Sequence, residues 1–244
     1  MYPVRNAKAC IVLYPGGGYV GRGDNDTAKV AKEFNNLGYF VYICHYRVGN
    51  DNDAKNGYRG NAILADGRRA IQIARANAGK YGYSAKRIVS CGFSAGGHLA
   101  MSVSLHEQKE NIVGDSIGEI SSVPNAVILG YSVTSVLKPA TYDKMNVIFD
   151  INDLGEGEET RAQYVGANAA TKTTPATFIW YGKADTAVKP ELNSIAYYNR
   201  LTELGVKTEL VGFDGIGHGV SVKCLSAPYE YHKKADKFLD EVFK

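Results

Sequence analysis

The sequence predicts an α/β fold: a mainly parallel sheet of about six or more strands, with helices on both faces and a small cap insertion. Short apolar runs alternate along the chain with segments of helical periodicity, which is typical of parallel β-α-β units. The first run, Lys8 to Tyr14, is apolar almost throughout, as in a strand that helices cover on both faces. A chain of 244 residues with 45% hydrophobic content fits one domain over residues 1–244.

The first two strands enclose a helix. The first strand ends at Pro15, and apolar residues then recur on one helical face over Thr27 to Leu37, where Gly38 is a stop signal. A second apolar run predicts a strand over Tyr39 to Tyr46. The stretch from Arg47 to Gly60 is polar and rich in Asn, Asp and Gly, which predicts a loop.

The middle of the chain continues the alternation. A long helix is predicted over Ile63 to Ala78, and strands over Arg87 to Cys91 and Ala126 to Tyr131. The segment from Ser132 to Thr174 has no clear period but contains scattered aromatic residues, so we expect a cap over a functional site. The alternative is one or two packed helices without such a role.

The last third supplies two more strands and two more helices. Strands are predicted over Thr177 to Tyr181 and Thr208 to Phe213. Helices are predicted over Glu191 to Leu204 and over Pro228 to Phe243, the second with proline near its first turn. No internal repeat or interdomain linker interrupts the chain.

A G-x-S-x-G pattern, Gly92-Phe93-Ser94-Ala95-Gly96, lies between the third strand and a predicted helix. A serine on such a sharp turn is held above the sheet edge, and the flanking glycines let neighbouring backbone approach closely. The following helix also directs free N–H groups at whatever the serine attacks. The pattern therefore predicts a nucleophilic serine at Ser94.

A serine hydroxyl needs a base to accept its proton, and His218 is the candidate. It follows the sixth strand in the glycine-rich stretch Gly215 to Gly219, where an imidazole has freedom to reach back over the sheet. The other four histidines end a strand or lie on or after predicted helices: His45, His98, His106 and His232.

The base in turn needs a carboxylate that holds the imidazole in one tautomer. Asp185 follows the fifth strand at the sheet edge where Ser94 is expected, so we favour it. Asp214 is the alternative, although it lies too near His218 in the sequence to reach around easily. Without a catalytic role, Asp185 would be a loop or helix-capping carboxylate.

An oxyanion formed on a carbonyl needs hydrogen-bond donors that are already in place. We expect the N–H groups of Ala95, next to the nucleophile, and of Gly17 and Gly18, in the loop after the first strand. Each such donor stabilises a transition state by roughly 3 kcal/mol.

The charge balance and the lengths of the apolar runs argue against nucleic-acid and membrane partners. Lys and Arg number 28 against 25 Asp and Glu, and no basic cluster stands out, so neither nucleic acid nor an anionic membrane is an expected partner. No apolar run approaches the roughly 18 residues of a membrane helix, and the N-terminus lacks a signal-peptide core. We expect a soluble, cytoplasmic protein; secretion with a removed leader is the alternative, and the oligomeric state stays open.

The four cysteines, Cys10, Cys44, Cys91 and Cys224, are spread without C-x-x-C spacing. We expect them to be reduced and structural, with a zinc site or a disulfide as the alternatives. No metal or other cofactor is expected.

Together these motifs resemble the α/β-hydrolase family, and more narrowly the small bacterial esterases grouped with acetyl xylan and feruloyl-type esterases. The matching pieces are Tyr14-Pro15-Gly16-Gly17-Gly18-Tyr19 for the H-G-G-G-[YFW] loop, Tyr46-Arg47, Gly92 to Leu99, Gly182-Lys183-Ala184-Asp185 and Gly217-His218. Three features depart from that pattern. Pro15 replaces a histidine, His45 replaces an aspartate, and the first family strands are missing or reduced to Tyr2 to Val4.

The resemblance implies a metal-free serine carboxylesterase that acts on short acyl esters, with acetylated xylan or xylo-oligosaccharides as the expected substrate. The seventeen tyrosines against eight phenylalanines suit a sugar-facing surface, although half-buried tyrosines explain the same count. The alternatives are a feruloyl esterase, an aryl-formamidase or a small peptidase with the same triad. A binding protein on an inactive hydrolase scaffold is the alternative outside enzymes.

Overall fold

The computed structural model describes residues 1–49, 60–107, 111, 113–136 and 162–244, and its centre is a six-stranded parallel sheet. The strands are β1 (Cys10–Tyr14), β2 (Phe40–Ile43), β3 (Ile88–Phe93), β4 (Ala126–Gly130), β5 (Ala176–Gly182) and β6 (Thr208–Phe213). They are ordered β2-β1-β3-β4-β5-β6, and every neighbouring pair is parallel. The predicted fold class is confirmed.

Helices cover both faces of the sheet. They are α1 (Asp24–Asn36), α2 (Gly60–Ala76), α3 (Ala78–Tyr81), α4 (Ala95–Leu105), α5 (Gly166–Ala169), α6 (Ser194–Glu203) and α7 (Tyr231–Val242). Buried side chains of α1 and α7 belong to the core on one face, and those of α2, α4 and α6 to the core on the other. Within the described ranges, no helix combines the length and apolarity that crossing a bilayer requires.

The continuous apolar run of β1 is explained by its place in the sheet. Its five residues are all fully buried. Cys10, Val12 and Tyr14 belong to one core and Ile11 and Leu13 to the other, because successive side chains of a strand point to opposite faces. A strand covered on both faces has no polar side, so alternation disappears from its sequence.

The predicted helix over Glu191 to Leu204 is interrupted in the structure. A single 3-10 turn, Pro190–Leu192, precedes α6, and Asn193 lies between them outside helical geometry. The Asn193 side-chain oxygen accepts the backbone N–H groups of Thr134 and Ser135, each at 2.9 Å. This contact fixes the chain that leaves β4, and the helical pattern in the sequence did not reveal it.

Other helix ends also differ from the sequence prediction: α2 covers Gly60–Ala76 instead of Ile63 to Ala78. Helix α7 begins at Tyr231 rather than Pro228, because Glu230 has a left-handed φ of 44° that a helix does not allow. Helix α1 begins at Asp24 rather than Thr27, with Asp24 and Asp26 in its first turn, where acidic side chains complement the helix dipole.

The segment that precedes β1 contacts the outer strand of the sheet. Tyr2 forms a single antiparallel bridge with Val41 on the outer strand β2. The predicted cap over residues 132–174 falls largely on residues 137–161, which lie outside the described residues, as do residues 50–59 of the predicted loop.

Candidate active site

Ser94 stands at the junction of β3 and α4 in a strained backbone conformation. Its φ is 54° and its ψ is −123°, in a region that side-chain-bearing residues rarely adopt. A Cβ on Gly92 would collide with the backbone carbonyl of Gly96, and a Cβ on Gly96 would collide with the carbonyls of Tyr14 and Pro15. Glycine at both positions therefore allows β1, β3 and α4 to meet tightly around the serine.

Substituting Gly92 tests this close packing. Gly92→Ala is expected to destabilise the fold by about 3 kcal/mol or more, because the clash is with backbone that cannot rotate away. Gly79→Ala is the control, since that Cβ meets nothing within 4 Å. It should be neutral or stabilise by up to about 1 kcal/mol. Urea unfolding measures both, and equal stability of the two variants would contradict the packing argument.

The structure brings Ser94, His218 and Asp185 together as one hydrogen-bonded chain. Ser94 Oγ lies 2.8 Å from His218 Nε2, and His218 Nδ1 lies 2.7 Å from Asp185 Oδ2. Each residue follows the carboxyl end of a parallel strand: Ser94 follows β3, Asp185 follows β5 and His218 follows β6. These ends share one edge of the sheet, which is why residues distant in sequence meet there.

The carboxylate of Asp185 is oriented from both sides. Its side chain is 1% exposed, and its Oδ1 accepts the backbone N–H groups of Ala187 at 3.0 Å and Val188 at 2.9 Å. A buried carboxylate needs such partners. The alternative, Asp214, is 89% exposed on its side chain and pairs instead with Lys183 at 3.0 Å. Geometry therefore selects Asp185 as the partner of His218.

The glycine loop after β1 lies directly against Ser94. A Cβ added to Gly16 would approach Ser94 Cβ to 3.3 Å. Gly17 and Gly18 have φ values of 142° and 62°, which glycine adopts at little cost. Their N–H groups donate to no atom of the described chain, and the N–H of Ala95, the first residue of α4, lacks an intrahelical partner. Three donors are thus available beside the serine.

A cavity of about 540 Å³ opens over Ser94 and His218. Its wall includes the glycine loop together with Arg22, Asp26, Tyr131 and Ser221. Its lining combines apolar surface with backbone groups, hydroxyls and charged side chains, and these polar groups can form hydrogen bonds with a ligand that carries hydroxyl groups.

Sequence reasoning did not single out Tyr131. This residue follows β4 at the same sheet edge, has a positive φ of 35° and is 5% exposed. Its ring centroid lies 5.0 Å from that of His218 at an interplanar angle of 73°, so the two rings pack edge to face. Burial raises the pKa of Tyr131 to about 12, which keeps the phenol neutral. Its position directly after a strand was the available signal.

The chemistry of the site is that of proton transfer from a hydroxyl to an imidazole. His218 can accept the Ser94 proton, and the carboxylate of Asp185 favours the tautomer that leaves Nε2 free to do so. In the described part of the chain, no three His, Cys, Asp or Glu side chains are grouped as a metal site would require. All four cysteines are free, and three of them are buried.

The sequence is similar to one protein family and to curated proteins. The sequence profile of the BD-FAE family matches residues 3–201, most of the chain. Among curated proteins, endo-1,4-beta-xylanase B of Butyrivibrio fibrisolvens is 28% identical over 214 residues. That match covers 87% of this chain and 32% of the xylanase, so the chain spans about a third of that relative's length.

Solved structures share the whole architecture. An acetyl ester-xyloside bifunctional hydrolase from Caldicellulosiruptor lactoaceticus superposes with a TM-score of 0.86 and 28% identity, covering 99% of this chain and 86% of that protein. A propionate-bound thermophilic esterase from Thermogutta terrifontis has a TM-score of 0.80 and 25% identity, with coverages of 97% and 84%. The resemblance inferred from the motifs is confirmed: the chain belongs to the BD-FAE family and has the fold of α/β-hydrolase esterases.

Proposed function

We propose that the protein is a serine carboxylesterase that hydrolyses short-chain acyl esters through an acyl-enzyme. The observation that carries the proposal is the unbroken chain Ser94–His218–Asp185, with heavy-atom distances of 2.8 and 2.7 Å. It lies beside a glycine loop in which the N–H groups of Gly17 and Gly18 donate to no atom of the described residues. A binding protein on an inactive scaffold would need neither this alignment nor the strained serine. Esterase names among the structural neighbours support the same activity.

The reaction proceeds in two halves. Ser94 Oγ attacks the ester carbonyl while His218 Nε2 accepts its proton, and the N–H groups of Gly17, Gly18 and Ala95 stabilise the resulting oxyanion. The tetrahedral intermediate then breaks its bond to the alcohol oxygen, which receives the proton from His218. Water next attacks the acyl-enzyme, again with His218 as base, and releases the carboxylic acid and the free serine.

The substrate class proposed is acetyl esters of xylan and xylo-oligosaccharides. Two similar proteins are named as a xylanase and as an acetyl ester-xyloside hydrolase. The propionate bound to the Thermogutta terrifontis esterase is the carboxylate that corresponds to a short acyl group. The cavity contributes polar groups, including the Asp26 carboxylate and the Ser221 hydroxyl, that can accept hydrogen bonds from sugar hydroxyls.

A probe and a substrate panel test the proposal together. A fluorophosphonate should form an adduct on Ser94, identified by peptide mass, because only an activated serine reacts rapidly. In the panel, acetylated xylo-oligosaccharides should have higher kcat/KM than feruloyl esters, formyl-amides and aminoacyl amides.

The two readouts separate the activity from the substrate. Absence of an adduct would contradict the esterase assignment and favour a binding protein. An adduct with preference for a feruloyl ester or an amide would keep the serine hydrolase and replace the acetyl-sugar substrate.

A further inference from the structure

The glycine loop is bound to helix α4 by a buried side-chain contact that the catalytic steps above do not use. Tyr19, which follows Gly18, places its hydroxyl 2.8 Å from His98 Nδ1. We propose that this hydrogen bond is a positioning contact, which holds the Gly17 and Gly18 donors at the distance from Ala95 that an oxyanion requires. The inference rests on the proposed esterase function and concerns how its oxyanion site is assembled.

The loop needs such a restraint because its backbone is strained. Gly17, Gly18 and Tyr19 have successive φ values of 142°, 62° and 63°. Glycine adopts a positive φ at little cost, but for a residue with a side chain this backbone conformation costs roughly 1 kcal/mol or more in conformational free energy. Tyr19 holds this conformation while fully buried, so tertiary contacts must determine its position.

His98 is itself rigidly placed relative to the nucleophile. It lies in the first turn of α4, and its backbone N–H donates to the carbonyl of Ser94 at 3.1 Å. Its Nε2 lies 3.1 Å from the backbone carbonyl of Tyr164. A carbonyl can only accept, so Nε2 carries the proton and Nδ1 accepts the hydroxyl proton of Tyr19.

The environment favours this single arrangement. Tyr19 and His98 are both 0% exposed, and burial lowers the pKa of His98 to about 4, so the imidazole is neutral at ordinary pH. The Tyr19 ring also packs against the Tyr46 ring with centroids 6.1 Å apart. Water does not compete for the Tyr19–His98 hydrogen bond in such an interior.

The Tyr19–His98 contact sets the spacing between the loop donors, Gly17 and Gly18, and the helix donor, Ala95. Ala95 begins the helix that carries His98, and Gly17 and Gly18 precede the tyrosine that His98 binds. Both groups of donors are therefore fixed to one rigid element. Donors aimed at a developing charge act only when they are already in place, and a displacement of about 1 Å costs up to about a hundredfold in rate.

Tyr19→Phe tests the contact because it removes the hydroxyl and keeps the ring. The variant should lower kcat for p-nitrophenyl acetate about tenfold or more, with KM changed less than about twofold. The inhibition constant of a trifluoromethyl ketone, which forms an oxyanion on the serine, should rise by the same factor as kcat/KM falls. His98→Gln should act in the same direction, and the double variant should lose no more than the larger single loss.

Tyr83→Phe is the matched control. Tyr83 is also buried, and its hydroxyl donates to the carbonyl of Ala74 at 2.7 Å. Its ring packs against Phe40 at the amino end of β2, whereas Ser94 follows the carboxyl end of β3. This variant should lose comparable stability and keep wild-type kcat. A folded Tyr19→Phe protein with wild-type kcat and ketone affinity, whatever its melting temperature, would overturn the proposal.

Hydrogen exchange gives a readout that does not depend on activity. The N–H groups of Gly21 and Gly23 donate to the carbonyls of Gly17 and Gly16, so their protection reports on the glycine loop. Tyr19→Phe should speed their exchange about tenfold, while Tyr83→Phe should not. Unchanged exchange overturns the positioning contact. A wild-type protein without turnover overturns the esterase assignment instead, so the two failures are distinguishable.

Discussion

Ser94→Ala is expected to lower kcat for p-nitrophenyl acetate by about 10⁶-fold while the protein stays folded. The change removes the oxygen that forms the acyl bond, so the histidine and carboxylate have nothing to activate, and losses of that size follow removal of the nucleophile from a triad. The residual rate above water comes from the oxyanion donors and substrate binding alone. Each tenfold step equals about 1.4 kcal/mol of transition-state stabilisation.

Ser104→Ala is the control for this prediction. Ser104 lies on α4, is 5% exposed and donates its hydroxyl to the carbonyl of Met101 at 2.6 Å. Its replacement should leave kcat within about twofold of wild type, since it touches no group of the site. Stopped-flow and long-time assays of both purified variants, with circular dichroism for folding, measure the contrast. Turnover retained by the Ser94 variant would refute the serine mechanism.

Asp185→Asn is expected to lower kcat about 10⁴-fold. The Asn oxygen can still accept from Ala187 and Val188, so the loop should keep its shape. The amide NH₂ then faces His218 Nδ1 and forces that nitrogen to become the acceptor. The imidazole proton must then move to Nε2, where it faces Ser94, and the lone pair that should take the serine proton is lost.

The matched variant Asp214→Asn distinguishes the two carboxylates that the sequence offered. It removes an ion pair with Lys183 at 3.0 Å, but Asp214 is 89% exposed on its side chain, and surface pairs contribute little. Its kcat should equal that of wild type. Loss of turnover in the Asp214 variant, with an active Asp185 variant, would reverse the assignment of the orienting acid.

Much of the fold follows from the sequence because parallel sheets impose simple local patterns. Strand β1 is apolar throughout because both of its faces are covered, and helix α1 shows one apolar stripe because only one side of it is buried. Both patterns can be recognised in the sequence without knowing which strands and helices are neighbours in the fold. The ends of helices are less predictable: the break at Asn193 depends on its contact with Thr134 and Ser135, 59 and 58 residues away.

The candidate triad can likewise be predicted from the sequence, because the topology of a parallel sheet determines where its residues lie. Residues that follow the carboxyl ends of parallel strands meet at one edge, so Ser94, Asp185 and His218 could be selected by position before any distance was known. The catalytic roles of these residues stay predictions that the variants above test.

The sequence by itself determined the order of strands and helices along the chain, because that order depends on short-range periodicity. It also determined the strained serine turn and the candidate residues, because these depend on glycine placement and on position after a strand. Only the tertiary structure decided which carboxylate reaches His218, that Tyr131 packs against the His218 ring, and that the Tyr19 hydroxyl meets His98. Tyr19 and His98 are 79 residues apart in the chain. Their meeting depends on how a loop packs onto α4, and packing between distant segments leaves no local pattern in the sequence.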